Sequence, residues 1–161
     1  MKRKILSVAL AAVLLLSLLA VSSCGKTEEP EDGTPVERTC LIKADYASDT
    51  PADSLELIAD EGEYAARVLL TPETAVEKFA FFALTFDDMD GDTPVFSTSE
   101  LYSLDRFEPD KPLVVSMTFG ETMPTYGFTY KNEDGLFKTY GLSLSGEDGS
   151  VVVSEVKAPL G

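Results

Sequence analysis

The chain contains no histidine and no tryptophan, only two cysteines, and few cations for its length. Each shortage excludes something. Without histidine, the Ser-His and Cys-His pairings of nucleophilic catalysis cannot form. A zinc site would have to rely on carboxylates and an isolated Cys40. Without tryptophan, the Cys…Trp…Cys pattern of true immunoglobulin domains is missing. No Gly-x-Ser-x-Gly motif and no glycine-rich phosphate loop occurs. Thirteen basic residues face 28 acidic ones, for a net charge of −15. Such a surface has little with which to neutralise phosphates, which argues against nucleic acid and against docking on anionic headgroups. It suits cationic partners, divalent cations, or simple solubility.

What is present begins with the first 24 residues. Lys2, Arg3 and Lys4 precede an apolar run from Ile5 to Val21, interrupted only by Ser7 and Ser17, and the run ends in Val21-Ser22-Ser23-Cys24. A basic start, an apolar middle and small residues before a cut site make a secretory signal. A membrane-spanning anchor would have about this length, roughly 20 residues, but it explains neither the small residues nor the cysteine. An ordinary secretory signal leaves the cysteine incidental. The four residues resemble the lipobox of bacterial lipoprotein precursors: an aliphatic residue, two small ones, then cysteine. The resemblance covers the leader only. It implies signal-peptide cleavage after Ser23, diacylglycerol on the sulfur of Cys24, and export to a membrane-anchored position outside the cytoplasm. Each buried methylene contributes about 0.8 kcal/mol, so two or three acyl chains hold where one would not.

Removal of residues 1–23 takes three cations with it and leaves 10 against 28, a net −18. With Cys24 carrying lipid, Cys40 has no partner in the chain, so the folded part must be stable through its core alone. Cys40 sits in an alternating segment and reads as a small buried hydrophobe. Residues 25–35, Gly-Lys-Thr-Glu-Glu-Pro-Glu-Asp-Gly-Thr-Pro, offer nothing apolar to bury and read as a disordered acidic tether. One domain follows, at 36–157.

That domain reads as strands. Tyr126, Phe128 and Tyr130 alternate with Gly127, Thr129 and Lys131, the period of a half-buried strand. Asn132-Glu133-Asp134-Gly135 turns the chain back through Leu136 to Ser145, and Gly146-Glu147-Asp148-Gly149 turns it again into Val151-Val152-Val153. The Tyr126, Phe128, Tyr130 stripe could stack on sugar if exposed, but such stripes are more often core. Upstream, Arg38, Cys40 and Ile42 alternate with their neighbours. Leu55–Ile58 and Tyr64–Leu70 flank Asp60-Glu61-Gly62 as a hairpin, with Tyr64, Ala66, Val68 and Leu70 inward. Ala75 to Phe86 is apolar on both faces. A helix opening at Thr71-Pro72-Glu73, with Thr as cap and Pro in the first turn, competes with a fully buried strand. Phe, Thr and Val favour the strand, with one helical turn near Glu73. Leu113 to Phe119 is a further strand. Eight or nine short strands point to an all-β antiparallel β-sandwich of immunoglobulin-like size, with a small β-barrel as the alternative. The stretch Leu113–Val153 is also similar to segments of uncharacterised bacterial surface lipoproteins, which implies no activity.

Asp87-Asp88-Met89-Asp90-Gly91-Asp92 is the one cluster that suggests a metal. Asp87, Asp88, Asp90 and Asp92 are hard oxygen donors suited to calcium, but with Gly91 as the sixth loop position an EF-hand would begin at Phe86 and end at Ser97. The run reads instead as a solvated turn, and no cofactor is expected. The resulting expectation is a lipid-anchored cell-envelope protein whose domain is a non-catalytic binding module. Its ligand would be a protein, peptide or glycan; a basic cell-wall enzyme inhibited by the acidic surface is one variant. The alternative is a hydrolase acting on cell-wall or other glycans with carboxylates alone, which needs two of them at catalytic separation in a cleft.

Overall fold

A computed structural model describes residues 40–159; the leader, Ser23, Cys24 and the tether lie outside the described residues. Among the described residues there are nine strands and no helix: β1 (Ile42–Tyr46), β2 (Leu55–Ile58), β3 (Ala66–Pro72), β4 (Val76–Asp90), β5 (Thr93–Phe107), β6 (Leu113–Met117), β7 (Tyr126–Lys131), β8 (Phe137–Leu144) and β9 (Val151–Val156). They make two sheets, ordered β1-β3-β6-β2 and β5-β4-β7-β8-β9. The pairing is antiparallel throughout both sheets except between β2 and β6, which run parallel from Leu55↔Leu113 to Ile58↔Ser116. The two sheets pack face to face as a β-sandwich and do not close into a barrel.

Alternation explains the packing. The first sheet turns Ile42, Val68, Leu70, Leu113, Val115 and Met117 inward; the second answers with Phe79, Phe81, Phe107, Phe128, Tyr140 and Leu142. Phe79, Phe81, Phe96, Phe107 and Phe128 are fully buried. Each such ring contributes on the order of 1.5–3 kcal/mol by leaving water, which lets a core without an internal disulfide hold the fold. The rings meet in offset geometry: Phe79 and Phe107 have centroids 4.6 Å apart, Phe128 and Tyr140 5.6 Å, and Tyr130 and Tyr140 5.7 Å at 9° between planes. The aromatic stripe of β7 is therefore core. Its Tyr130 hydroxyl accepts a hydrogen bond from the Leu41 amide at 2.9 Å, tying the second sheet to the start of the first.

The β7-β8-β9 meander follows the alternation. Its two turns carry Gly135 at φ 78° and Gly149 at φ 71°, the left-handed conformation that glycine adopts without strain. Other expectations need correction. Leu55–Ile58 and Tyr64–Leu70 form no hairpin: β2 pairs with β6, and β3 lies between β1 and β6. Gly62 does not take positive φ; its amide donates to Asp60 Oδ1 at 2.9 Å, and the chain crosses over instead of folding back. Tyr64 consequently lies outside β3 and is exposed, while Val68 and Leu70 are buried. The helical turn near Glu73 is a bend.

Strand β5 escaped the sequence reading. It is an edge strand rich in serine and threonine, and its alternation is broken midway, at Leu101. It forms with β4 a hairpin of two 15-residue strands, closed by Gly91 and Asp92 with Gly91 at φ 63°. Glycine at the first central position is what a two-residue type II′ turn requires. The paired strands test the core directly. Phe128→Ala is expected to cost about 3–5 kcal/mol in denaturant unfolding, whereas Phe137→Ala, at a ring 47% exposed, should stay within about 0.5 kcal/mol of the parent.

Candidate functional site

The acidic run is spread along a strand end and a turn. Asp87, Asp88 and Asp90 are the exposed last residues of β4, and only Asp92 belongs to the turn. The run is thus mostly strand, a correction to its reading as a turn. Asp88 Oδ1 accepts the Met89 amide at 2.8 Å, and Asp90 forms an ion pair with Lys157. Among the described residues no three carboxylate or thiol side chains converge as metal ligands would. Cys40 is half-buried; burial pushes its thiol up from the ordinary value, the opposite of what a reactive cysteine needs.

Two carboxylates, Glu100 and Asp105, line a groove of the second sheet. The carboxyl groups with perturbed ionisation are held below the usual range: Asp60 by the Thr118 hydroxyl and the Gly62 amide, Asp90 by Lys157, Asp105 by Lys78, and Asp148 by the Ser150 amide and hydroxyl. A general acid needs the reverse shift.

The feature with built geometry is a groove of about 570 Å³ on the outer face of the second sheet, spanning β5, β4, β7 and the start of β8. Two β-bulges shape it. On β4, Glu77 pairs with Lys131 and Ala80 with Thr129, so Lys78 and Phe79 together oppose a single residue of β7. The extra residue shifts the strand's phase. Val76 and Phe79, three apart, both reach the inter-sheet core, and Ala80, Phe82 and Leu84 turn to the outer face. The pivot is Lys78, at φ 52° the one non-glycine residue in the left-handed region among those described. That conformation costs an L-residue with a Cβ roughly 1–2 kcal/mol, and backbone strain of this kind gathers at functional positions.

On β5, Phe81 pairs with Tyr102 and Phe82 with Glu100, leaving Leu101 as the extra residue. In an unbroken strand Glu100 and Ser103 would point to opposite faces. The bulge brings both to the outer face, where the Ser103 hydroxyl donates to Glu100 Oε1 at 2.9 Å. Asp105 follows on that face and meets Lys78 Nζ at 2.6 Å. The groove thus sets a carboxylate–hydroxyl pair beside a carboxylate–ammonium pair, with the half-exposed ring of Phe137 across from them. Thr129, on the floor, is 3% exposed and spends its hydroxyl on the Lys138 carbonyl at 2.8 Å. Bulges beside functional sites re-aim side chains in this way.

The lower end of the face is closed. Ala80, Phe82, Leu84 and Phe96 form a second buried cluster, covered by Val156 and Ala158. The segment after β9 is held there by the Phe96 amide, which donates to the Lys157 carbonyl at 2.9 Å, and by the Lys157–Asp90 pair. Sequence reasoning missed Lys78, Glu100, Ser103, Asp105 and Phe137. The available signal was the break in β5 alternation at Leu101. Compared with protein-family models, curated proteins and solved structures, the chain matches none.

Two outcomes follow. Lys78→Gly and Lys78→Ala both remove the ammonium, so their difference isolates the backbone. The glycine variant should unfold about 1 kcal/mol later than the alanine variant; equal stabilities would contradict a left-handed Lys78. The second concerns pH. Burial raises the phenol pKa of Tyr126, Tyr130 and Tyr140. A raised folded-state pKa stabilises fully below the unfolded value of about 10 and loses that contribution as pH climbs past it. The melting temperature should therefore fall above pH of about 10, together with appearance of tyrosinate absorbance, and Tyr130→Phe should flatten the fall.

Proposed function

We propose that the chain is a bacterial lipoprotein, held to the membrane through acyl chains on Cys24, whose β-sandwich is a non-catalytic binding module outside the cytoplasm. The observation that carries this reading is Val21-Ser22-Ser23-Cys24 at the end of the apolar run. Cleavage after Ser23 would leave Cys24 as the first residue and 25–35 as a polar spacer between the lipid and the sandwich. The membrane is then a partner only through the anchor. With a net charge of −18 on the processed chain, neither nucleic acid nor an anionic lipid surface is a partner.

Binding is favoured over catalysis by the chemistry of the groove. The Asp105 carboxylate is neutralised by Lys78 and the Glu100 carboxylate is engaged by Ser103. Both pairs occupy carboxylate oxygens with donors. They present fixed donors and acceptors beside a ring, as a recognition surface does. An extracytoplasmic module without an internal disulfide is consistent with a core of buried phenylalanines.

The test is at Cys24. In a bacterial host fed a labelled fatty acid, the parent chain is expected to take up label and to partition into detergent. Cys24→Ala should carry no label and remain an unprocessed precursor. Acylation or cleavage after Ser23 that persists in Cys24→Ala would overturn the reading.

A further inference from the structure

We propose that the outer-face groove of the second sheet binds a neutral saccharide, a short stretch of glycan chain lying across β5, β4 and β7 against Phe137. The proposal rests on the reading of the sandwich as a binding module and names its ligand class.

The argument is one of chemical fit. A saccharide offers hydroxyls that both donate and accept, fixed on a rigid ring whose C–H face is apolar. The groove offers the complement. Glu100 and Asp105 accept, Lys78 donates, and Ser103 does either. Ser103 and Asp105 share that face by alternation, Lys78 lies opposite Asp105 across the strand pair, and the bulge at Leu101 adds Glu100 to them. Phe137 supplies an apolar plate, 47% exposed, at the first residue of β8. The volume of about 570 Å³ falls within the roughly 300–1,000 Å³ of small-molecule sites, and the groove is open along the sheet, as a polymer segment needs.

Other ligand classes fit less well. An anion would meet Glu100 and Asp105 against Lys78 alone, on a protein of net charge −15. A cationic side chain would have to displace Lys78 from Asp105, a contact of 2.6 Å. A wholly apolar ligand would strip water from two carboxylates and an ammonium without replacing their hydrogen bonds, which is costly. A neutral polyol leaves the ion pair intact and adds hydrogen bonds around it.

The test uses the full chain in detergent micelles on an array of defined oligosaccharides, with hits measured by calorimetry. At least one neutral oligosaccharide is expected to bind. Phe137→Ala should weaken it about tenfold, as expected for loss of a stacking contact of up to about 1.5 kcal/mol. Glu100→Gln should weaken it several-fold, and Phe86→Ala, on the far arm of the hairpin, should leave it unchanged. Both groove positions are exposed, so the variants are expected to fold; unchanged melting temperatures would verify it. Saccharide binding that survives Phe137→Ala and Glu100→Gln would overturn the groove as the site. If no saccharide binds but a lysine-rich peptide does, and the same variants abolish that, the saccharide assignment falls while the binding module stands. If neither probe binds, both fall.

Discussion

The structure depends on one strand being buried on both faces. β4 sends Phe79 and Phe81 into the core between the sheets and Ala80, Phe82 and Leu84 into a second cluster on the other side. A strand with a polar face could slip by two residues at modest cost. A strand whose two faces meet different partners is fixed in register, because a slip of one residue exchanges every contact. The left-handed residue at Lys78 sets that register: upstream of it Val76 faces the core on even numbering, and downstream Phe79 and Phe81 face it on odd. The strain stored there is small beside the burial it permits. Fully burying one phenylalanine contributes on the order of 1.5–3 kcal/mol, and Phe79 and Phe81 are both at 0% exposure.

The groove is a consequence of the same geometry. The bulge on β4 returns Val76 to the core while Lys78 stays on the outer face, and the bulge on β5 brings Glu100 into line with Ser103 and Asp105. The exposed ion pairs of this protein, Lys78–Asp105 and Lys157–Asp90 among them, each contribute about 0–1 kcal/mol. They matter less as stabilisers than as devices that hold a side chain in place. Lys157 fixes the segment after β9 over the second cluster; Asp105 holds Lys78 at the rim. The acidic character that dominates the composition is spread over strand ends and turns, and its densest run serves as the tip of the β4–β5 hairpin, where charge also discourages edge-to-edge association.

Much of this was legible in the residues. The sandwich class, the β7-β8-β9 meander and the core-facing stripe of Tyr126, Phe128 and Tyr130 followed from alternation and from turn glycines, which act locally. The parallel pairing of β2 with β6 did not, because strand neighbours 58 positions apart, as Leu55 and Leu113 are, leave no mark in either segment. β5 was lost because a bulge at Leu101 interrupts the period by which strands are recognised. The groove was lost with it: Glu100 and Ser103 at a spacing of three belong to one face only after that interruption. A Lys in the left-handed region has no sequence signature at all, since glycine and asparagine are the residues that advertise it.

Deletion of Lys78 tests the phase shift most directly. Removing the residue leaves Val76 and Phe79 two apart, so unbroken alternation turns both to the core and Glu77 to solvent with no left-handed residue between them. The account predicts that the deletion variant keeps the all-β circular dichroism spectrum and stays within about 2 kcal/mol of the parent in denaturant unfolding, since the strain of the left-handed residue is lost together with an exposed ion pair. A loss of more than about 3 kcal/mol, as exposure of a buried valine and burial of a carboxylate would give, would show that the bulge does not set the register of β4.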